Sequence, residues 1–342
     1  MFSGRYTMLN NTLRRKTKEI TLGNLKIGHN NPIYVQSMIK SDPLNIKSTR
    51  REIERLKKAG CEIIRMAIPN VEAVNLIPLY KSCCKDIPLV ADIHFDPKLA
   101  LMSIEKGADG IRINPGNIGN KSAIRNIIKL ASEKNVCIRI GINAGSLEKR
   151  LIEKYGSPNY LALTESALYW VQFFLDEGYE NIKVSIKASD VDTTIRAYRS
   201  FAEKSDVPLH IGVTEAGFGT YGIVKSSIGI GTLLYEGIGD TIRVSLSEPS
   251  YREVEVGFKI LQALGLRKTF PEIISCPTCG RKKIDVVTLA RKVEKEIGWL
   301  KKPYKIAVMG CEVNGPGEAK EADFGIAGGK SHSLIFAKGN IV

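Results

Sequence analysis

The chain has 342 residues, 43% of them hydrophobic, enough for two domains with a sizeable buried core. It has no apolar run of about 18 residues, and its basic start, MFSGRYTMLNNTLRRKTKEI, lacks an apolar stretch of signal-peptide length, so a cytoplasmic protein with no membrane partner is expected. The net charge of +14 raises nucleic-acid binding, but the basic groups at 14–18, 281–283 and 301–302 have no interleaved aromatics or binding motif; an anionic small molecule or an acidic redox partner explains the excess, and no nucleic acid is expected.

From about residue 33 to 265, short β-branched runs alternate with longer amphipathic stretches, the pattern of repeated βα units around a parallel sheet. The spacing predicts strands at 33–36, 63–66, 89–92, 110–113, 137–140, 181–185, 209–212 and 241–245. Helices are expected between them, for example at 49–59, 121–134 and 251–264. Eight units in roughly 235 residues match a (β/α)8 TIM barrel of the α/β class.

Four strands share one motif: Ile64-Arg65-Met66, Ile111-Arg112-Ile113, Ile138-Arg139-Ile140 and Ile242-Arg243-Val244. Strand alternation puts each arginine opposite its apolar neighbours, so with helices outside, the arginines point to the barrel axis. A buried cation there needs an anion, either a structural carboxylate or a ligand. Asp92, His94, Asn114, Asn143, Lys187, Thr214, Glu215 and Ser245 fall at or just beyond strand ends, where barrel enzymes assemble their sites. Converging guanidinium forks with a lysine suit a diphosphate. The plainer readings are a hydrogen-bonded barrel histidine for His94 and a solvated loop carboxylate for Glu215, which would otherwise face the mouth and deliver a proton.

After GLRKTFP the barrel pattern stops, and Ile273-Ile274-Ser275 leads into CPTCG with Cys276 and Cys279. A helix at 285–297 follows, a strand at 305–309 delivers Cys311 and the motif CEVNGPGE ending in Glu318, and ADFGIAGG and SLIFAKGNIV read as further strands. CxxC lets two thiolates of one turn face a single ion, and a third cysteine completes a tripod. The fourth corner is open between Glu318, a hard and exchangeable oxygen ligand suited to chemistry, and His332, which would close a structural zinc knuckle. Cys61, Cys83, Cys84 and Cys137 lie in apolar patterns and read as packing residues.

The motifs PIYVQSM, ADIHFD, IRINPGNIG, IRIGINAGSL, SIKASD, HIGVTEAG, CPTCG and CEVNGPGEAKEADFGIAGG, in this order, closely resemble those of the 4-hydroxy-3-methylbut-2-en-1-yl diphosphate synthase family of the non-mevalonate isoprenoid pathway. The resemblance implies the two-domain bacterial form, with a substrate-binding barrel over 1–265, a linker at 266–269 and an iron–sulfur cluster domain over 270–342. It also implies a homodimer in which the active site is shared between subunits. By the same resemblance Cys276, Cys279, Cys311 and Glu318 would hold a 4Fe-4S cluster. Arg65, Arg112, Arg139, Asn143, Lys187, Arg243 and Ser245 would clamp the diphosphate of 2-C-methyl-D-erythritol 2,4-cyclodiphosphate, with Asp92 and Asn114 beside them. Asn314 would reach in from the cluster loop and Glu215 would donate a proton. Reduced flavodoxin or ferredoxin would supply electrons, docking near 281–283. The chain departs from the family pattern at His29 and Asn30, where a glycine pair is usual, and at Ile39, where threonine is.

Overall fold

The computed structural model describes residues 6–9, 12–311, 319–329, 332–338 and 340–342. It divides into two compact units, Met1–Arg267 and Lys268–Val342. The first begins with two hairpins, β1 (Tyr6–Leu9) with β2 (Thr12–Arg15) and β3 (Ile20–Leu22) with β4 (Leu25–Ile27). Eight further strands follow: β5 (Tyr34–Met38), β6 (Ile63–Ala67), β7 (Leu89–Asp92), β8 (Gly110–Ile113), β9 (Cys137–Asn143), β10 (Ile182–Lys187), β11 (His210–Ile211) and β12 (Thr241–Ile242). All pair in parallel in the order β10-β9-β8-β7-β6-β5-β12-β11, and a parallel bridge between Val184 and Leu209 brings the two ends of that order together. The result is the (β/α)8 barrel that the alternation predicts.

Local chemistry explains the boundaries. Asn120 caps the helix Lys121–Lys134 by accepting from Ala123 N at 3.0 Å, and Asn135, left-handed at φ 52, ends it. The helix Ser250–Ala263 packs closely on β5 because Gly257 has no side chain; a Cβ there would stand 2.9 Å from Val35 Cγ1. β11 and β12 are shorter than predicted. Arg243 N still donates to Ile211 O at 3.0 Å, but beyond that bond the two chains lead into the mouth loops.

The first two hairpins have no counterpart among the predicted elements. Ile20, Leu22 and Ile27 of the second join Ile63, Val90 and Cys137 in one buried cluster, so this hairpin plugs the N-terminal end of the barrel. With that end closed, the open end is the one where the strands finish.

The second unit is a five-stranded sheet, β13 (Glu272–Ser275), β14 (Lys305–Met309), β15 (Phe324–Gly328), β16 (Ser333–Ala337) and β17 (Asn340–Ile341), with the helix Val286–Ile297. The first three strands are parallel and the last two antiparallel. Ala307, Met309, Ala319, Ala322, Ala327 and Phe336 form its core. Phe336 lies across its partner Gly325, where a Cβ would come within 2.1 Å of the ring. Among the described residues no helix is long and apolar enough to cross a membrane.

Candidate active site

Register and alternation together build the barrel interior. Asp92 pairs with Arg112, Arg112 with Arg139, and Arg139 with Lys183 across β7 to β10. Ile111, Ile138 and Ile140, between them in sequence, are fully buried in the core. Two glycines make room for the long cations: a Cβ at Gly141 would stand 2.5 Å from Arg112 Nε, and one at Gly212 would stand 2.9 Å from Lys187 Nζ.

Asp92 is the anchor. Its Oδ2 accepts from Arg65 Nη2 at 2.6 Å, its Oδ1 lies 3.5 Å from Arg112 Nη1, and His94 Nε2 is 3.1 Å from Oδ2. Burial alone would raise the pKa of this carboxyl. Arg65, the contact with His94 and Arg112 outweigh it and hold Asp92 well below the usual carboxylate range. Asn143, with its amide oxygen turned to the guanidinium, accepts from Arg112 Nη2 at 2.9 Å.

The remaining cations are poorly compensated. Arg139 is 2% exposed, and its Nε and Nη1 have no hydrogen-bond partner among the described residues; the same holds for Lys183 Nζ and His210 Nε2. Burial first, then Arg65 and Arg112, push the Arg139 pKa well below its ordinary value. Lys187 is lowered in the same way by burial, Arg139 and Arg243, and burial brings Lys183 down to about 8. Among the described residues two carboxylates, Asp92 and Glu253, touch this cluster through ion pairs, Glu253 at 3.5 Å from Arg243 Nε. A buried excess of positive charge with idle donors is costly alone and favours an anion with several oxygens.

The other predicted site residues line the mouth. Asn114 ties the β8 loop to the β9 loop, accepting from Gly116 N at 3.1 Å and donating to Ser146 Oγ at 2.5 Å. Ser245 is half-buried two residues after Arg243. Glu215 is exposed on the loop after β11 in a left-handed backbone, φ 51, and Lys225 Nζ donates to its carbonyl at 3.2 Å. Sequence reasoning missed Gln36, Lys183, His210 and Glu253, all buried. The alternation Ile182-Lys183-Val184-Ser185-Ile186-Lys187 carries the signal for Lys183. Glu253 lies among charged residues of an amphipathic helix, where nothing marks it out.

In the second unit, Cys276 follows β13 and Cys311 stands two residues after β14. The pairing of Ser275 with Val308 sends both loops from the same sheet end. Gly310 N donates to Cys276 Sγ at 3.1 Å, and Thr278, at φ 63, makes the turn between Cys276 and Cys279. The Arg281 backbone N–H, then its guanidinium, lower the pKa of the exposed Cys279 thiol. All three cysteines are free. Amide donors on sulfur and a thiol eased toward thiolate fit a thiolate-held metal group. Among the described residues no group of three ligands is drawn into a coordination sphere, and Asn314 and Glu318 lie outside those residues.

These features define a class: a (β/α)8 barrel with a cationic, anion-seeking interior at the carboxyl ends of its strands, followed by a small α/β unit bearing a CxxC turn and a third cysteine. Residues 17–258 match the GcpE TIM-barrel domain and residues 272–342 the GcpE protein C-terminal domain. The chain belongs to the GcpE family. It is 55% identical over 329 residues to the 4-hydroxy-3-methylbut-2-en-1-yl diphosphate synthase (flavodoxin) of Caldanaerobacter subterraneus subsp. tengcongensis, covering 96% of this chain and 92% of the relative. Relatives of the same name from Thermodesulfovibrio yellowstonii (53% over 329 residues, 96% and 94% covered) and Aquifex aeolicus (51% over 328 residues, 95% and 91% covered) are nearly as similar. Among solved structures, the type I 3-dehydroquinate dehydratase of Clostridium difficile shares 14% identity at a TM-score of 0.53, covering 72% of this chain and 98% of its own. The dihydropteroate synthase of Thermus thermophilus shares 12% at 0.51, covering 73% and 97%. These two likenesses show the barrel fold and nothing about its chemistry.

Proposed function

We propose that this chain catalyses the reaction of its family: two-electron reduction of 2-C-methyl-D-erythritol 2,4-cyclodiphosphate to 4-hydroxy-3-methylbut-2-enyl diphosphate, a step of isoprenoid precursor synthesis. A ring C–O bond and the neighbouring C–OH bond break, a C=C bond forms, and the hydroxyl leaves as water after taking a proton. The observation that carries this reading is the buried cation cluster around Asp92, with the idle donors of Arg139. In it Arg65, Arg112, Arg139, Lys187 and Arg243 hold the diphosphate and neutralise the charge that ring opening places on phosphate. Asp92 serves by fixing the Arg65 and Arg112 forks, while Asn114, Asn143 and Ser245 orient the substrate. Glu215 delivers the proton to the leaving hydroxyl, and Asn314 contacts the substrate.

In this reading 1–265 is the substrate domain and 270–342 the cluster domain. Cys276, Cys279, Cys311 and Glu318 would hold a 4Fe-4S cluster, which when bound supplies electrons one at a time. The relatives' name points to flavodoxin as the donor, and ferredoxin is the alternative. The exposed cations Arg281, Lys282 and Lys283 suit either acidic partner. The protein works in the cytoplasm as a homodimer with shared active sites. Support for a second copy comes from the helix Gly219–Tyr235, which exposes Tyr221, Val224, Ile228 and Tyr235 in a seven-residue repeat interrupted by Gly231.

Metal analysis of anaerobically prepared protein tests the cofactor. Iron and sulfide in equal amounts are expected, with brown colour lost in Cys311→Ser. Glu318→Ala is expected to keep its iron and lose turnover. Zinc without sulfide would make the second unit a structural knuckle, and full turnover in Glu318→Ala would remove Glu318 from the ligand set.

A further inference from the structure

Glu253 has no role in the chemistry above, yet both of its carboxylate oxygens are engaged near the mouth. It lies in the first turn of the helix Ser250–Ala263 and is fully buried. Its Oε2 accepts from Ser37 Oγ at 2.9 Å and lies 3.5 Å from Arg243 Nε. Its Oε1 accepts from Leu246 N at 3.1 Å and lies 2.9 Å from Lys40 Nζ. Lys40 Nζ in turn reaches the carbonyl of Leu246 at 2.5 Å and that of Glu248. One carboxylate therefore ties together β5, the segment leaving β12 and the Arg243 side chain.

Fastening a loop requires the bonds to Ser37, Lys40 and Leu246, but not the approach to Arg243. That approach has a second consequence. Arg243 is 15% exposed at its side chain and feels both Arg65 and Asp92, so its head belongs to the cation cluster. The contact at Nε is an ion pair at 3.5 Å without a hydrogen bond, so the carboxylate restrains the guanidinium by charge, and its two terminal nitrogens remain for a phosphate.

We propose that Glu253 is a positioning residue for diphosphate recognition, holding the Arg243 fork at the barrel mouth as Asp92 holds those of Arg65 and Arg112. This rests on the reading of the mouth as a diphosphate site. Charge and positioning make opposite demands on Glu253→Gln. Removing a negative charge makes the mouth more positive, so electrostatics alone would tighten anion binding. Releasing the fork weakens it.

The test is calorimetric titration of inorganic pyrophosphate into the full-length wild type, E253Q, E253D, R243M and the E253Q/R243M double variant, at one ionic strength. Expected are a roughly tenfold weaker affinity in E253Q, at least as great a loss in R243M, and a double variant no weaker than R243M, because Glu253 acts through Arg243. E253D, which keeps the charge but shortens the reach, is expected to fall between wild type and E253Q, and it carries the comparison should E253Q fail to fold. Unchanged or tighter binding in E253Q, or in E253D if that variant must stand in, overturns the inference, as does a loss in E253Q that persists undiminished beside R243M. A wild type that does not bind pyrophosphate overturns the reading of the mouth itself, whereas a wild type that binds and an E253Q that binds equally well overturn the role of Glu253 alone.

Discussion

Arg139→Met is expected to make the substrate-free protein more heat-stable and to lower kcat/KM by about a hundredfold or more. The two effects have one cause. Arg139 is 2% exposed, and two of its nitrogens have no partner among the described residues, so the fold carries a desolvated charge beside like charges. Even a buried ion pair is often replaced by apolar side chains of similar volume at no cost or with a gain of roughly 1–4 kcal/mol, and a cation with idle donors has less attraction to lose. Such a gain corresponds to several degrees in Tm for a domain of this size. Substrate reverses the balance, because a diphosphate supplies the missing acceptors. Removing one partner of a buried, hydrogen-bonded charge pair costs about 2–5 kcal/mol, which sets the loss in kcat/KM. Differential scanning calorimetry and steady-state kinetics on the same preparation check both halves. A lower Tm would show that Arg139 has a structural partner, and an unchanged kcat/KM would show that it does not meet the substrate.

Diphosphate binding is expected to take up protons from solution, with Lys187 as the main acceptor. Burial, followed by Arg139, Arg243, Arg65 and Arg112, lowers the Lys187 pKa well below its usual value in the free protein. A diphosphate adds negative charge beside the ammonium and returns the pKa toward normal. Between the lowered and restored values the free site is deprotonated and the bound site protonated, so affinity falls as pH rises through that window. Calorimetry in buffers of different ionisation enthalpy reads the uptake. Lys187→Met is expected to lose most of it and to bind inorganic pyrophosphate about tenfold to a hundredfold more weakly. The folding equilibrium gives an independent sign. A lysine with a depressed folded pKa binds fewer protons in the folded than in the unfolded chain, so stability increases with pH across the gap. For Lys183 that gap runs from about 8 to the unfolded value of about 10.4, and Lys183→Met is expected to flatten the rise. Absence of proton uptake in the wild type would mean that Lys187 stays charged without ligand.

The barrel was legible from its eight repeated βα units, and the Ile-Arg-apolar alternation of four of its strands gave their facing: apolar side chains outward, guanidinium inward. The helix Lys121–Lys134 was legible to its ends, where the structure places Asn120 as N-cap and the left-handed Asn135 as C-cap. β11 and β12 were overextended, because apolar alternation continues past the last ladder bond and sequence does not show where two chains part. The hairpin at Ile20–Ile27 was missed although Gly23-Asn24 is a turn signal; its strands of three residues are too short for periodicity to register.

At the site, residue types were legible and their division of labour was not. Sequence put Asp92 among the substrate-binding residues but could not show that its two oxygens engage Arg65 and Arg112, 27 and 20 residues away. Glu253 and the clearance at Gly141 and Gly212 depend on contacts between distant segments, which no local pattern encodes. The spacing of the cysteines pointed to a metal site and left iron–sulfur and zinc open; only the family resemblance chose between them. The position of Glu318 lies outside the described residues.

The central claim is that this cationic barrel holds a cyclic diphosphate while electrons open its ring. Phosphorus NMR of 2-C-methyl-D-erythritol 2,4-cyclodiphosphate incubated with anaerobic, iron-replete protein and reduced flavodoxin tests it most directly. The expected result is replacement of the cyclic signals by those of a linear allylic diphosphate, abolished in Arg139→Met. A cyclic diphosphate left intact by protein with full iron and sulfide, or conversion undiminished in Arg139→Met, would contradict the account.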